Sequence, residues 1–519
     1  MHENREIPVV TTVPSAVVRV MKASKADDHH VRDGEVGRGR STDDAPKAAA
    51  EVTEGRPETE GNLEGTTTPG TQCPERVSSG LLRVREAAKR NGTERFTALL
   101  HHVTVDVLED AYRGLNPGAA AGVDGVTWQE YGEDLRRKVV DLHARVHAGS
   151  YQAQPSRRVW IPKPDGRQRP LGIAALEDKI VQTAVAWVLQ TIYEVDFAGF
   201  SYGFRPGRGQ RNALDALWVG LSDKPVNWVL DADIRHFFDT LDHQWLMKFV
   251  EHRIGDPRIL RLIRKWLRAG VCEDGRWTGT SVVGTPQGAV ISPLLANIYL
   301  HYALDVWVKW WRAHEAQGEV IIVRYADDFV MGFQLKTDAE RFLESLRERL
   351  RRFQLELHPD KTRLIEFGRF ARANRTRREQ GKPETFSFLG FTHICGKRRN
   401  DGGFAVWRHS IAKRLREKVK EIGTVLFDTR AKPLPEQGTW LRAVVNGWLN
   451  YHAIPTNSIA IATFRDRIID AWRRALRRRS QKARTLTWEK MRRIAARWIP
   501  PARIRQPYPD RKRLILAIT

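Results

Sequence analysis

Asp327 and Asp328 stand side by side in the run VIIVRYADDFVMGF, Val320 to Phe333. The run reads as two apolar strands, Val320–Val323 and Phe329–Phe333, around a tight turn. Adjacent acids repel each other and are poor strand formers. A divalent cation offsets that cost, because hard cations such as Mg²⁺ take carboxylate and phosphate oxygens. A solvated Asp-Asp turn is the plain alternative. A second acidic segment, VNWVLDADIRHFFDTLD, spans Val226 to Asp242. There Trp228-Val229-Leu230 lead straight into Asp231 and Asp233, and an acid inside a strand pattern calls for a partner. Only the fold can join two segments so far apart in the chain. Carboxylates from both strands would hold two metal ions roughly 3.5–4 Å apart, which activates an attacking hydroxyl and stabilises a leaving phosphate oxygen.

Other residues suit phosphate chemistry. Lys163 and Arg169 flank Asp165-Gly166 in IPKPDGRQRPLG, a hairpin signal that puts two cations on one finger of chain. Gly284-Thr285-Pro286-Gln287-Gly288 precedes a helix over Ser292–Leu300, and Gly-rich backbone before a helix suits anions and close ligand approach. Arg473, Arg474, Arg477, Arg478 and Arg479 crowd one broad helix face or its end. Phosphate is the obvious neutralising partner for five like charges; a solvated helix end is the alternative.

The elements that position these groups follow from composition. The chain has 519 residues, room for several domains, and a net charge of +24, which points to a polyanion. From Asp401 onward 27 Lys/Arg face 9 Asp/Glu, so the C-terminal part is the expected nucleic-acid grip. Residues 1–80 hold 10 basic and 14 acidic side chains and no Phe, Trp or Tyr, a composition of disorder or of translated upstream sequence. Helical patterning over 81–154 comes next, then strands alternating with helices over 155–400. Basic amphipathic helices such as IAKRLREKVKEIGTVLF fill 401–485, and 486–519 reads as a basic tail. Cys73, Cys272 and Cys395 form no CxxC pair or disulfide framework, which suits a reducing cytosol. No apolar run reaches membrane-spanning length, and MHENREIPVV is no secretory signal.

Taken in order, several blocks resemble the reverse transcriptases encoded by bacterial group II introns, also called maturases. They are NPGAAAGVDGVTW, WIPKPDGRQRPLGIAALEDKIVQ, SYGFRPGRG, DADIRHFFDTLDH, GTPQGAVISPLLANIYL, RYADDFV, LHPDKTRLIEFG and FSFLGF. The resemblance runs from about Arg85 to about Arg513. It implies an α+β right-hand polymerase: a helical N-terminal extension, fingers, a palm with an antiparallel sheet, and an α-helical thumb that doubles as an RNA-binding maturase domain. Asp233 and Asp327 are then the main ligands of two Mg²⁺ ions, Asp328 a weaker third, and Ile234 a backbone-carbonyl ligand. Lys163 and Arg169 hold the triphosphate. Phe238 matches the steric gate that rejects ribose, with a core Phe as the alternative. Gln287 meets the incoming nucleotide, and Ala289 stands where relatives often have a second Gly. Lys361 matches a lysine proposed to protonate pyrophosphate. Phe388-Leu389-Gly390 resembles the primer grip. His236 replaces a residue that is usually small. The Cys-pair endonuclease domain of many relatives has no counterpart in these cysteines.

The expected activity is RNA-directed DNA synthesis, with group II intron RNA, an RNA template with DNA primer, target DNA and dNTPs as partners, in the bacterial cytoplasm. A host-adopted reverse transcriptase in phage defence or DNA repair is one rival. A non-catalytic splicing factor is the other.

Overall fold

The computed structural model describes residues 79–162, 168–273, 276–278, 284, 288–398 and 400–509. Helices dominate its N-terminal part. Ser79–Arg90, Val105–Arg113 and Leu135–Ala148 gather around Leu176–Asp196, whose middle is buried on every side. A helix apolar all round belongs inside. Asp256 fastens this layer: its buried carboxylate accepts from the Leu99 and Leu100 amides at 2.8 and 2.9 Å.

Among the described residues, eleven strands form three sheets. In chain order they are β1 (Ser156–Pro162), β2 (Gln168–Ile173), β3 (Trp228–Asp233), β4 (Val271–Glu273), β5 (Arg276–Thr278) and β6 (Val320–Tyr325). Then follow β7 (Asp328–Phe333), β8 (Arg363–Glu366), β9 (Phe386–Phe388), β10 (Phe391–Lys397) and β11 (Phe404–Ser410). The first sheet runs β2-β1-β4-β5, and the third runs β11-β10-β9. The remaining sheet, β6-β7-β3-β8, is antiparallel throughout. This matches the expected palm, and the molecule is α+β.

That central sheet is buried on both faces, which is why β6 and β7 read as mainly apolar runs. Leu230, Ile322, Phe329, Met331 and Phe333 join the core of the N-terminal helices. Val229, Ile321, Val323, Val330 and Ile365 join a second core with Leu214, Phe386, Phe388 and Val406. The period of two sorts them.

A third core belongs to the C-terminal helices Ala412–Asp428, Leu434–His452 and Ser458–Arg477, where Leu426, Val445, Phe464 and Trp472 meet. The stretch read as a tail departs from expectation. Trp488–Trp498 is a helix with a Thr487 cap, and its Met491 and Ala495 complete this core. The basic composition hid an amphipathic pattern of only a few apolar positions. Of residues 1–80, the supposed disordered segment, 1–78 lie outside the described residues, and Ser79 and Gly80 open the helix Ser79–Arg90.

Candidate active site

The site forms where β3, β6 and β7 end together. Asp233, the last residue of β3, lies directly opposite Asp328, the first of β7. Asp328 also pairs with Tyr325 across the hairpin, leaving Ala326-Asp327 as a two-residue turn. Ala326 takes φ 57°, a left-handed conformation, as a type II′ turn requires at its first central position. Glycine is the usual occupant, so Ala326 is strained. The fold thus brings Asp233, Asp327 and Asp328, three of the four acids singled out in the sequence, to one end of the sheet. Asp233 and Asp328 are half-buried like charges on neighbouring strands, a pairing that destabilises a sheet without a compensating cation.

One such cation is already in place. Lys361 Nζ donates to Asp233 Oδ2 at 2.6 Å, although the lysine remains mostly exposed. Its loop is pinned by the His358 amide, which donates to the Asp233 carbonyl at 2.8 Å. Asp231 is taken by Arg363 Nη2 at 3.2 Å; burial pushes its carboxyl up, and Arg363 opposes that shift. Asp231 is therefore a paired strand acid. Ile234 is buried beside Leu357 in an isolated bridge, directly after Asp233.

Phe237–Thr240 is a short helical turn, not a strand. Phe237 is buried in the core, whereas Phe238 is half-buried at its edge. His236 precedes the turn at φ 48°, which explains why a small or flexible residue is easier there. Gly284 meets this turn: a Cβ on it would lie 3.0 Å from the Asp239 carbonyl, and its φ is +90°. Gly288 needs its glycine too, at φ +113° with the Gly172 carbonyl 2.6 Å from a built Cβ. Ala289 has no left-handed φ, so the missing second Gly removes no needed freedom. Lys163 and Gln287 lie outside the described residues. Arg169 is placed by its backbone in β2, opposite Ile161.

Leu389 and Gly390, at φ 45° and 79°, form the two-residue turn between β9 and β10, the type I′ pattern. Phe388 and Leu389 are buried. Tyr451 Oη donates to the Leu389 carbonyl at 2.7 Å, and the Ile411 amide donates to the Gly390 carbonyl at 3.1 Å. The hairpin tip is thereby tied to the C-terminal helices.

The five arginines do not share one environment. Arg473 lies 4.4 Å from the Trp488 ring centroid, and its Nε donates to the Leu486 carbonyl. Arg477 Nε donates to the Arg484 carbonyl at 3.1 Å. Arg474 pairs with Asp470 at 2.9 Å, and Arg478 covers the Phe427 ring. Arg474, Arg477, Arg478 and Arg479 remain exposed. Inspection of the sequence missed Arg324, Asp305, Asn297 and Gly203, which surround the acidic turn from behind. The only signals were an Arg before the Tyr-Ala-Asp-Asp run and a Gly inside SYGF.

The chain is similar to several known proteins. The reverse transcriptase (RNA-dependent DNA polymerase) family matches residues 161–393. Protein YkfC of Escherichia coli is 36% identical over 278 residues, 47% of this chain and 71% of that protein. The group II intron-encoded protein LtrA of Lactococcus lactis is 36% identical over 233 residues, 44% of this chain but only 38% of LtrA. The nuclear intron maturase 3 of Arabidopsis thaliana is 29% identical over 131 residues, 24% of this chain and 17% of that protein.

Proposed function

The chain belongs to the group II intron type of reverse transcriptase, the RNA-directed DNA polymerases, and from that premise we propose how its residues divide the work. The observation that carries the reading is the cross-strand pair Asp233–Asp328 with Asp327 in the adjoining turn. These are hard oxygen donors at the open end of a rigid sheet. Mg²⁺ binds through one or two carboxylates and completes its shell with water and substrate phosphates, so a full protein cage is not required. Asp233, Asp327 and Asp328, with the Ile234 carbonyl, would hold two such ions. The chemistry they supply when bound is activation of the primer hydroxyl and neutralisation of charge on the leaving pyrophosphate.

The chain's own groups do the rest. The primer 3′ oxygen forms a bond to the α-phosphate of a dNTP, and the bond to pyrophosphate breaks. Lys163 and Arg169 hold the triphosphate, and Gln287 positions the nucleotide. Phe238, half-buried beside the Gly284 backbone, offers an aromatic edge under the sugar. Lys361, an ammonium paired with Asp233, would protonate the departing pyrophosphate. The Phe388-Leu389-Gly390 turn, tied to Tyr451, aligns the primer end. The exposed arginines of the thumb grip group II intron RNA, in support of splicing and of retrohoming into target DNA. Recognition of folded RNA rests on shape and backbone contacts. None of the described helices is long and apolar enough to cross a membrane; we place the protein in the bacterial cytoplasm.

Asp233→Asn and Asp327→Asn test the reading. Both should abolish dNTP incorporation on an RNA template while leaving RNA affinity nearly intact. Robust polymerisation by either variant would overturn it.

A further inference from the structure

The acidic turn is held from behind by a buried guanidinium. Arg324 and Asp305 are fully buried and paired, with Arg324 Nε donating to Asp305 Oδ1 at 2.8 Å. Arg324 Nη1 donates to the Ala326 carbonyl at 2.9 Å and to Asn297 Oδ1 at 3.2 Å. Asn297 Nδ2 in turn donates to the Gly203 carbonyl at 2.7 Å. Gly203 presses on the turn itself: a Cβ there would lie 2.4 Å from the Ala326 nitrogen. The Arg324 backbone is clasped on both sides, its amide donating to Phe200 O and its carbonyl accepting from the Tyr202 amide, each at 2.9 Å.

Two features say that this network serves more than stability. Buried ion pairs are weak stabilisers, because desolvation cancels much of their attraction. Yet this one ends on the peptide that joins Ala326 to Asp327, beside a non-glycine residue at φ 57°. Strained backbone persists only where its surroundings over-determine it. Asn297 also belongs to the helix Ser292–Leu300, which starts four residues after Gly288. Asp305 closes the single π-helical stretch among the described residues, His301–Asp305, which continues that helix; π-turns of this kind often mark functional sites.

Resting on the metal-site reading above, we propose that Arg324, braced by Asp305 and Asn297, is a positioning residue for the metal-binding carboxylates. It sets the peptide plane from which Asp327 projects and couples that turn, through Asn297, to the helix Ser292–Leu300. It touches neither substrate nor metal. Outer-shell partners of metal ligands typically change metal affinity by 10–100-fold.

The test uses the full chain with Mn²⁺ as the probe, its binding followed by electron paramagnetic resonance without nucleotide. Arg324→Gln combined with Asp305→Asn removes both buried charges together, so neither is left unpaired. This pair should melt near the wild-type temperature, yet bind Mn²⁺ roughly tenfold more weakly. In primer extension its kcat should fall while KM for primer-template holds. Wild-type Mn²⁺ affinity in the folded pair would overturn the proposal. If the pair fails to fold, Asn297→Ala decides by the same readouts: weaker Mn²⁺ binding supports the coupling, unchanged binding overturns it. Asp327→Asn is run alongside. If it binds Mn²⁺ and polymerises like wild type, the metal-site reading itself falls; if it is inactive while the network variants behave as wild type, only the role of Arg324 falls.

Discussion

Phe238 carries the proposed choice between ribose and deoxyribose. Its neighbour Phe237 is fully inside the core, and Phe238 is only half-covered on the next position of the same turn. A residue needed solely for packing would bury its ring. Phe238→Ala should therefore raise ribonucleotide relative to deoxynucleotide incorporation, measured by competing the two on one template, with little loss of stability. An unchanged ratio in an active variant would place the gate elsewhere. Lys361 makes a second residue-scale case. It neutralises Asp233 across 2.6 Å, so removing its charge leaves Asp233 facing Asp328. Lys361→Met should slow the chemical step and sharpen the dependence on Mg²⁺. Single-turnover rates across a Mg²⁺ titration check this, and a variant with wild-type rate and Mg²⁺ dependence would leave the lysine a surface group.

At the scale of elements, tight contacts between segments replace long interfaces. Asp256 caps the helix Pro257–Arg268 and also collects the Leu99 and Leu100 amides, so one carboxylate joins the N-terminal layer to the body. Burial alone would raise its pKa. The Arg258 side chain and the three amides outweigh burial and bring it down to about 2. A carboxyl depressed in the folded state stabilises fully above its unfolded pKa and loses that contribution as pH falls through the folded value. The clamp should hold at neutral pH and fail between about pH 4 and pH 2. Asp256→Ala leaves buried amides unsatisfied and should cost about 3 kcal/mol at neutral pH. Denaturant melts at pH 7 and pH 3 check both parts: the gap between wild type and variant should narrow at the lower pH.

Over the whole molecule, the basic charge and the proposed metal site occupy different regions. The excess of basic residues falls beyond Asp401, on helices with a core of their own, whereas the acids sit at the palm tip. Arg473 and Arg477 brace the turn before Trp488–Trp498 through backbone carbonyls. Arg474, Arg478 and Arg479 are the better test of RNA binding, being exposed without those carbonyl contacts. Their replacement by Gln should weaken intron RNA binding and flatten its salt slope by about 2 to 3, since each phosphate contact contributes about 0.7–0.9. Extension of a short primer-template at high enzyme concentration should suffer less. Unchanged affinity and slope would make the cluster a solvated helix end.

The chain's own order of residues determined the polymerase class, the three acids and the apolar strands that carry them. Each is a local signal: an acid after an apolar run, an Asp-Asp turn, a Gly-rich loop before a helix. The helix at Trp488–Trp498 was not legible, because a few apolar positions in a very basic stretch look like a tail until they meet Trp472 and Phe464. The helical turn Phe237–Thr240 was not legible either, since it depends on His236 taking a left-handed conformation. Tertiary structure alone decided which acids meet. Asp233 faces Asp328 through strand register, while Asp231, two residues earlier, is claimed by Arg363 from β8. It alone also showed the support behind the turn. Arg324, Asn297, Asp305 and Gly203 come from three separate segments, and no periodicity links residues whose only relation is a shared buried contact.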